Sequence, residues 1–193
     1  MTLGLWRMSG RWASRLAGVS SERIAFVRVY LGLGSNLGDR RDNLERAIHA
    51  IAALDSTRLV CRAGLYESAP VGPEQPDFLN TAVGIETGLG LLALLDGCKS
   101  IAARLGRVPS FRWGPRLIDI DLLIADAVHR SARLTVPHGQ LHLRRFALQP
   151  LCEMAGDLVH PLLGRRLDDI CAALPDQGVR RLETDWGQIA SAS

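Results

Sequence analysis

The chain is expected to fold as an α+β protein, with an antiparallel sheet covered on one face by two helices and carrying a ligand site on the other. Three observations predict this. Four segments alternate apolar with small or polar residues, two segments repeat apolar residues at helical spacing, and they run in the order strand, helix, strand, strand, helix, strand. That order is the ferredoxin-like β-α-β-β-α-β arrangement, here followed by short C-terminal helices.

The first strand begins at Val27. Val29, Leu31 and Leu33 alternate with Arg28, Tyr30, Gly32 and Gly34, the pattern of a half-buried strand. A loop over 35–39 leads to a helix ending near residue 54, in which Leu44, Ala47, Ile48 and Ile51 share a face. Residues 57–66 read as the second strand and 69–76 as a proline-rich loop. In the third strand, 78–86, Leu79, Thr81, Val83 and Ile85 point one way and Phe78, Asn80, Ala82 and Gly84 the other. A helix over 91–105 follows, with Leu91, Leu94, Leu95, Cys98, Ala102 and Leu105 on its stripe. After a loop over 106–115, the fourth strand, 117–125, separates Ile118, Ile120, Leu122 and Ile124 from Asp119 and Asp121. Stretches 138–155 and 166–174 read as loop and short helices. The face away from the helices therefore collects Tyr30, Gly32, Phe78, Asn80, Ala82, Asp119 and Asp121, a poor core but a plausible ligand site.

Composition narrows the partners. A formal charge of +3 is too small a bias to argue for nucleic acid, and Lys99 is the only lysine, so phosphate must be gripped mainly by arginine forks. Cys61, Cys98, Cys152 and Cys171 are scattered and read as reduced thiols of a cytoplasmic protein. No apolar run approaches the roughly 18 residues of a membrane span. Residues 1–26, rich in Arg and Ser and without sustained period, are expected to be a disordered extension or a misassigned start. A domain over 27–175 and a tail over 176–193 complete the expected division.

Asp119 and Asp121 lead the chemistry. Residues i and i+2 of a strand share a face with Cα atoms roughly 6.5–7 Å apart, so both carboxylates can reach hard cations such as Mg²⁺. Paired ions about 3.5–4 Å apart are the usual clamp for in-line phosphoryl displacement. Arg107, Arg112 and Arg116 precede them, and guanidinium groups converging on carboxylates are the mixture phosphoryl transfer needs. A solvated polar stripe or a structural salt-bridge cluster is the plain alternative. The glycines 32 and 34 do not make a dinucleotide fingerprint, and no Walker A sequence exists; they read as a tight turn leaving the strand, with room for a ligand as a secondary role. Phe78, Asn80 and Phe146 could sandwich a flat heterocycle, although a lone buried Phe is more often core. His138 and His142 lie near Arg144 and Arg145, where they could meet phosphate.

The run Arg112-Trp113-Gly114-Pro115-Arg116-Leu117-Ile118-Asp119-Ile120-Asp121 closely resembles the signature of the 6-hydroxymethyl-7,8-dihydropterin pyrophosphokinases. Gly34-Ser35-Asn36, Tyr66 through Val71-Gly72-Pro73 with Pro76-Asp77-Phe78-Leu79-Asn80, Leu134-Thr135-Val136-Pro137-His138, and Leu141-His142 with Arg144-Arg145-Phe146 fall in the same order as in that family. The resemblance implies two Mg²⁺ ions, ATP as cosubstrate, and transfer of its β,γ-pyrophosphate to the pterin hydroxymethyl group, with release of AMP, in folate biosynthesis. It implies Asp119 and Asp121 as metal ligands, acting catalytically with Arg107 and Arg116. Arg107, Arg112, Arg116, Leu122, Arg133, Thr135, His138 and Arg144 fall to ATP; Ser68, Val71, Phe78, Asn80, Trp113 and Phe146 fall to the pterin. Ala102 stands where the family usually has glutamate, Pro109 replaces a usual basic residue, and Gly139-Gln140 replaces a usual bulkier pair. Another two-metal nucleotidyl-transfer enzyme, an RNA-binding module of the same topology, and a catalytically impaired ATP- and pterin-binding homologue are the competing readings. Small-molecule substrates, no nucleic acid, no membrane and a monomer are expected.

Overall fold

In the computed structural model, residues 25–108, 114–183 and 186 are described. Alternation produces strands where it is strongest. β1 (Val27–Ser35) is the centre of the sheet, antiparallel to β4 (Phe78–Thr87) on one side and to β5 (Asp119–Ala125) on the other. α1 (Arg40–Ala52) starts where Asp39, in extended conformation, accepts a 3.0 Å hydrogen bond from the Asp42 amide, satisfying a first-turn donor. α2 (Leu91–Arg104) buries Leu94, Cys98, Ile101 and Ala102. Both helices pack with Val29, Leu31, Leu33, Val83 and Ile85 in one hydrophobic core.

The expected second strand is two. β2 (Thr57–Arg62) pairs with the C-terminal half of β4, and β3 (Tyr66–Ser68) with its N-terminal end. Between them the Gly64 amide donates to the Glu153 carboxylate at 3.0 Å instead of to a neighbouring strand, which ends the ladder there. The path through the sheet is β10 (Arg180–Arg181), β3, β4, β1, β5, with β2 also on β4, and each pairing is antiparallel.

The second face is only partly open. α3 (Arg145–Ala155) and α4 (Leu167–Ala173) pack over one half of it, making a second core from Tyr30, Leu123, Ile124, Leu148, Leu151, Leu167 and Ile170. Tyr30, expected beside a ligand, is therefore core, and Ala82 is fully buried. Ile124 also changes sides. The β1–β5 register shifts between Tyr30 and Leu31, so Tyr30 faces Ile124 while Leu31 faces Leu122. A bulge of this kind inserts a residue and reverses the alternation beyond it. The two-residue strands β6 (His129–Arg130) and β7 (Thr135–Val136) form one hairpin, and β8 (Val159–His160) and β9 (Arg165–Arg166) another. Among the described residues no helix is long and apolar enough to cross a membrane.

Candidate active site

β5 opens on Asp119 and carries Asp121 two residues on, so both carboxylates leave the same side of the strand. Directly opposite them on β1 stand Gly34 and Gly32. These glycines lie inside the strand and line the cleft; the turn expected there comes later, at Gly38, whose φ is +62°. Asp119 is gripped on both oxygens, by Arg107 at 2.8 Å and by Arg116. Asp121 is partly buried, and its carboxyl is pushed up to about 6, first by burial and then by the Asp119 charge, against the pull of Arg144, Arg116 and Arg107. Two carboxylates this close, one of them reluctant to ionise, form a donor set that a hard cation relieves. Among the described residues no cluster of three or more His, Cys, Asp and Glu completes a cage.

Arg116 is placed by Asn36. The Arg116 amide donates to Asn36 Oδ1 at 2.7 Å, and the Asn36 amide donates to the Arg116 carbonyl at 3.1 Å. Asn36 Nδ2 also donates to Gln75 Oε1 and the Pro76 carbonyl, at 2.9 and 3.0 Å. One buried amide thus joins the arginine loop to the loop that enters β4. Its place in the motif drew attention to Asn36, but the partners 39 to 80 residues away are not legible in a sequence.

A cavity of about 130 Å³ lies over Gly32 and Gly34. Phe78, Phe146, Asn80, Ser68 and Val71 line it together with Arg116, Asp119, Asp121 and Arg144. Asn80 is buried and donates through Nδ2 to Ser68 Oγ at 3.0 Å and to the Tyr66 carbonyl at 3.5 Å, and the carbonyl, which can only accept, fixes the amide orientation. A Cβ on Gly34 would stand 3.1 Å from Asn80 Oδ1, so the missing side chain leaves space beside that amide. The sequence reading and the fold agree on bringing these residues together.

A second cavity, of about 520 Å³, is lined by Leu122, Arg133, Thr135, His138, Gln140 and Arg144, and reaches Asp121. Arg133 is ion-paired with Asp96 of α2. His138 is anchored by its amide, 2.7 Å from the Leu123 carbonyl; burial chiefly, and then Arg144, lower its pKa, while Asp119 opposes them. Arg144 donates to Gln140 and lies over the Phe146 ring, 5.8 Å from its centroid. Among the described residues only Asp121 and Arg144 line both cavities. His142 lines neither and sets its ring edge-on to His160, 6.4 Å away. Ala102 is 2% exposed in the α2 core face, so that departure from the family pattern is a packing feature. Pro109, Arg112 and Trp113 lie outside the described residues.

Residues 30–156 match the family described as 7,8-dihydro-6-hydroxymethylpterin-pyrophosphokinase. A Pseudomonas aeruginosa protein named 2-amino-4-hydroxy-6-hydroxymethyldihydropteridine pyrophosphokinase is 43% identical over 157 residues, spanning 80% of this chain and 96% of that one. A protein of the same name from Methylorubrum extorquens is 44% identical over 159 residues, spanning 81% and 99%. The fold resembles the crystal structure of wild-type Plasmodium falciparum HPPK-DHPS with STZ-DHP, at a TM-score of 0.61 and 16% identity, over 79% of this chain and 44% of that longer one.

Proposed function

Since the chain belongs to the 7,8-dihydro-6-hydroxymethylpterin-pyrophosphokinase family, we propose that it transfers the β,γ-pyrophosphate of ATP to the hydroxymethyl group of 6-hydroxymethyl-7,8-dihydropterin, a step of folate biosynthesis. The observation that carries this reading is the meeting of two unlike cavities at Asp121 and Arg144. One has two aromatic rings and a buried amide, suited to a flat heterocycle with a hydrogen-bonding edge. The other has Arg133, Thr135 and His138, suited to a nucleotide. The transferred group then spans the residues common to both. The strand order of β3, β4, β1 and β5 supports a ferredoxin-like topology.

In the reaction the pterin alcohol oxygen bonds to the β-phosphorus, the bond from that phosphorus to the α,β-bridging oxygen breaks, and AMP leaves with that oxygen. The alcohol proton passes to solvent. Phe78 and Phe146 hold the ring, Asn80 and Ser68 read its edge, and Arg107, Arg116 and Arg144 meet the phosphate charge. Asp119 and Asp121 would hold two Mg²⁺ ions, with phosphate oxygens and water completing their shells. Bound Mg²⁺ supplies charge neutralisation on the transferring group. Catalysis is then mainly orientation and electrostatic stabilisation, since among the described residues no side chain is placed as a general base. The test is AMP release from MgATP with and without the pterin. Pterin-dependent AMP without ADP is expected; ADP as the product, or AMP indifferent to pterin, contradicts the reading.

A further inference from the structure

The residues common to both cavities include Arg144, and its backbone is held by a side chain from far along the chain. The Arg145 amide donates to Gln177 Oε1 at 2.9 Å, and Gln177 Nε2 donates to the Leu143 carbonyl at 3.0 Å. These are the two peptide groups flanking Arg144, which is extended, with φ −116° and ψ 98°. In an extended residue the preceding carbonyl and the following amide point to the same side, so one carboxamide can bond both, as a neighbouring strand would. The orientation of the Gln177 amide is unambiguous, because one partner can only accept and the other only donate. Arg144 is also the N-cap residue of α3 and offers no side-chain cap. Gln177 therefore supplies a partner for a first-turn amide that the helix itself leaves without one.

Gln177 is itself tethered. Gly178 turns the chain with φ +65°, Arg180 and Arg181 pair with Glu67 and Tyr66 of β3, and the Leu182 amide donates to the Leu65 carbonyl at 2.8 Å. Trp186, 7% exposed, ends in the first core beneath the guanidinium of Arg62. This segment lies outside residues 30–156, the stretch matched to the family. It touches the sheet at β3, which carries Ser68, and the start of α3, which carries Phe146. Both line the acceptor cavity.

We propose that Gln177 is a positioning residue for the transfer: by holding Arg144 extended it sets the direction in which Arg144 and Phe146 leave the backbone, and so aligns the two cavities. The proposal rests on the pyrophosphokinase reading for its kinetic consequence, while the clamp itself does not. Gln177→Ala removes both bonds. Gln177→Glu keeps the acceptor for Arg145 and replaces the donor to Leu143 with an oxygen, at nearly constant size.

The test combines amide hydrogen exchange with steady-state kinetics on the full chain. Exchange over residues 143–148 is expected to quicken by about tenfold or more in both variants, with β1, β4 and β5 unchanged. The pterin KM is expected to rise about tenfold and kcat to fall severalfold at 25 °C, well below the melting temperature. A merely structural role would lower the melting temperature and leave KM and kcat unmoved, and that result overturns the proposal. So does unchanged exchange over 143–148. If the wild type makes no pterin-dependent AMP, the parent reading fails and the catalytic role with it, while the exchange data still decide whether Gln177 holds Arg144. If the alanine variant does not fold, the glutamate variant carries the same comparison.

Discussion

Asp121 illustrates how a ligand site is made costly in its empty form. Its carboxyl is raised to about 6, chiefly by burial and secondarily by Asp119. A carboxyl whose folded pKa lies above its unfolded value adds stability while protonated, and that contribution is lost as pH rises through about 6. In chelator, Asp121→Asn should therefore stabilise the protein at pH 7.5, by on the order of 1–2 kcal/mol after allowance for partial solvation, and should not do so near pH 4. The same variant should lose turnover by about a thousandfold or more. Thermal melts at the two pH values check the first half; an asparagine variant less stable than wild type at pH 7.5 contradicts it. The two aspartates and the flanking arginines were legible in the sequence, because strand alternation alone puts Asp119 and Asp121 on one side. Asn36 and Gln177 were not, since an amide's role depends on distant backbone that no local pattern reports.

At the scale of elements, the cleft is a consequence of β1. Its neighbours β4 and β5 present Asn80 and Asp119 on either side of Gly34, and Gly32 sits opposite Asp121. A methyl group at position 34 would meet Asn80 Oδ1 at 3.1 Å and Phe78 Cδ1 at 3.6 Å. Asn80 is tied to Ser68 and can give little. Gly34→Ala should fold, since residue 34 lies within a regular strand, but should weaken pterin binding about tenfold while leaving nucleotide binding within about twofold. Calorimetric titration with each ligand separates the two, and an equal loss for both would contradict this geometry. Periodicity read β1, β4, α1 and α2 to within a residue or two. It failed at Gly64, where a side chain 89 positions away takes the amide, and at the bulge that sends Ile124 to the other core. Both breaks are tertiary, and neither leaves a mark on local alternation.

Over the whole molecule, two cores form on opposite faces of one sheet, and the acceptor cavity lies where the sheet meets the start of α3. The C-terminal segment closes around its margin. Arg181 bonds Glu153, which also receives the Tyr66 hydroxyl and the Gly64 amide, and Trp186 fills a place in the first core. Trp186→Ala should cost about 3 kcal/mol or more, as removal of a large buried side chain does; a denaturant midpoint equal to that of wild type would show that the segment does not contribute. The sequence reading marked 176–193 as a tail. A single aromatic anchor has no period to detect.

Transfer of the β,γ-pyrophosphate as one unit, across the meeting point of the two cavities, is the central claim. Its most direct test follows label from ATP carrying one tag on the α-phosphorus and another on the γ-phosphorus, in a single turnover with the pterin. The γ label is expected wholly on the pterin diphosphate and the α label wholly in AMP. The α label on the pterin would reveal nucleotidyl transfer, the γ label on a pterin monophosphate beside ADP would reveal simple phosphoryl transfer, and either contradicts the account.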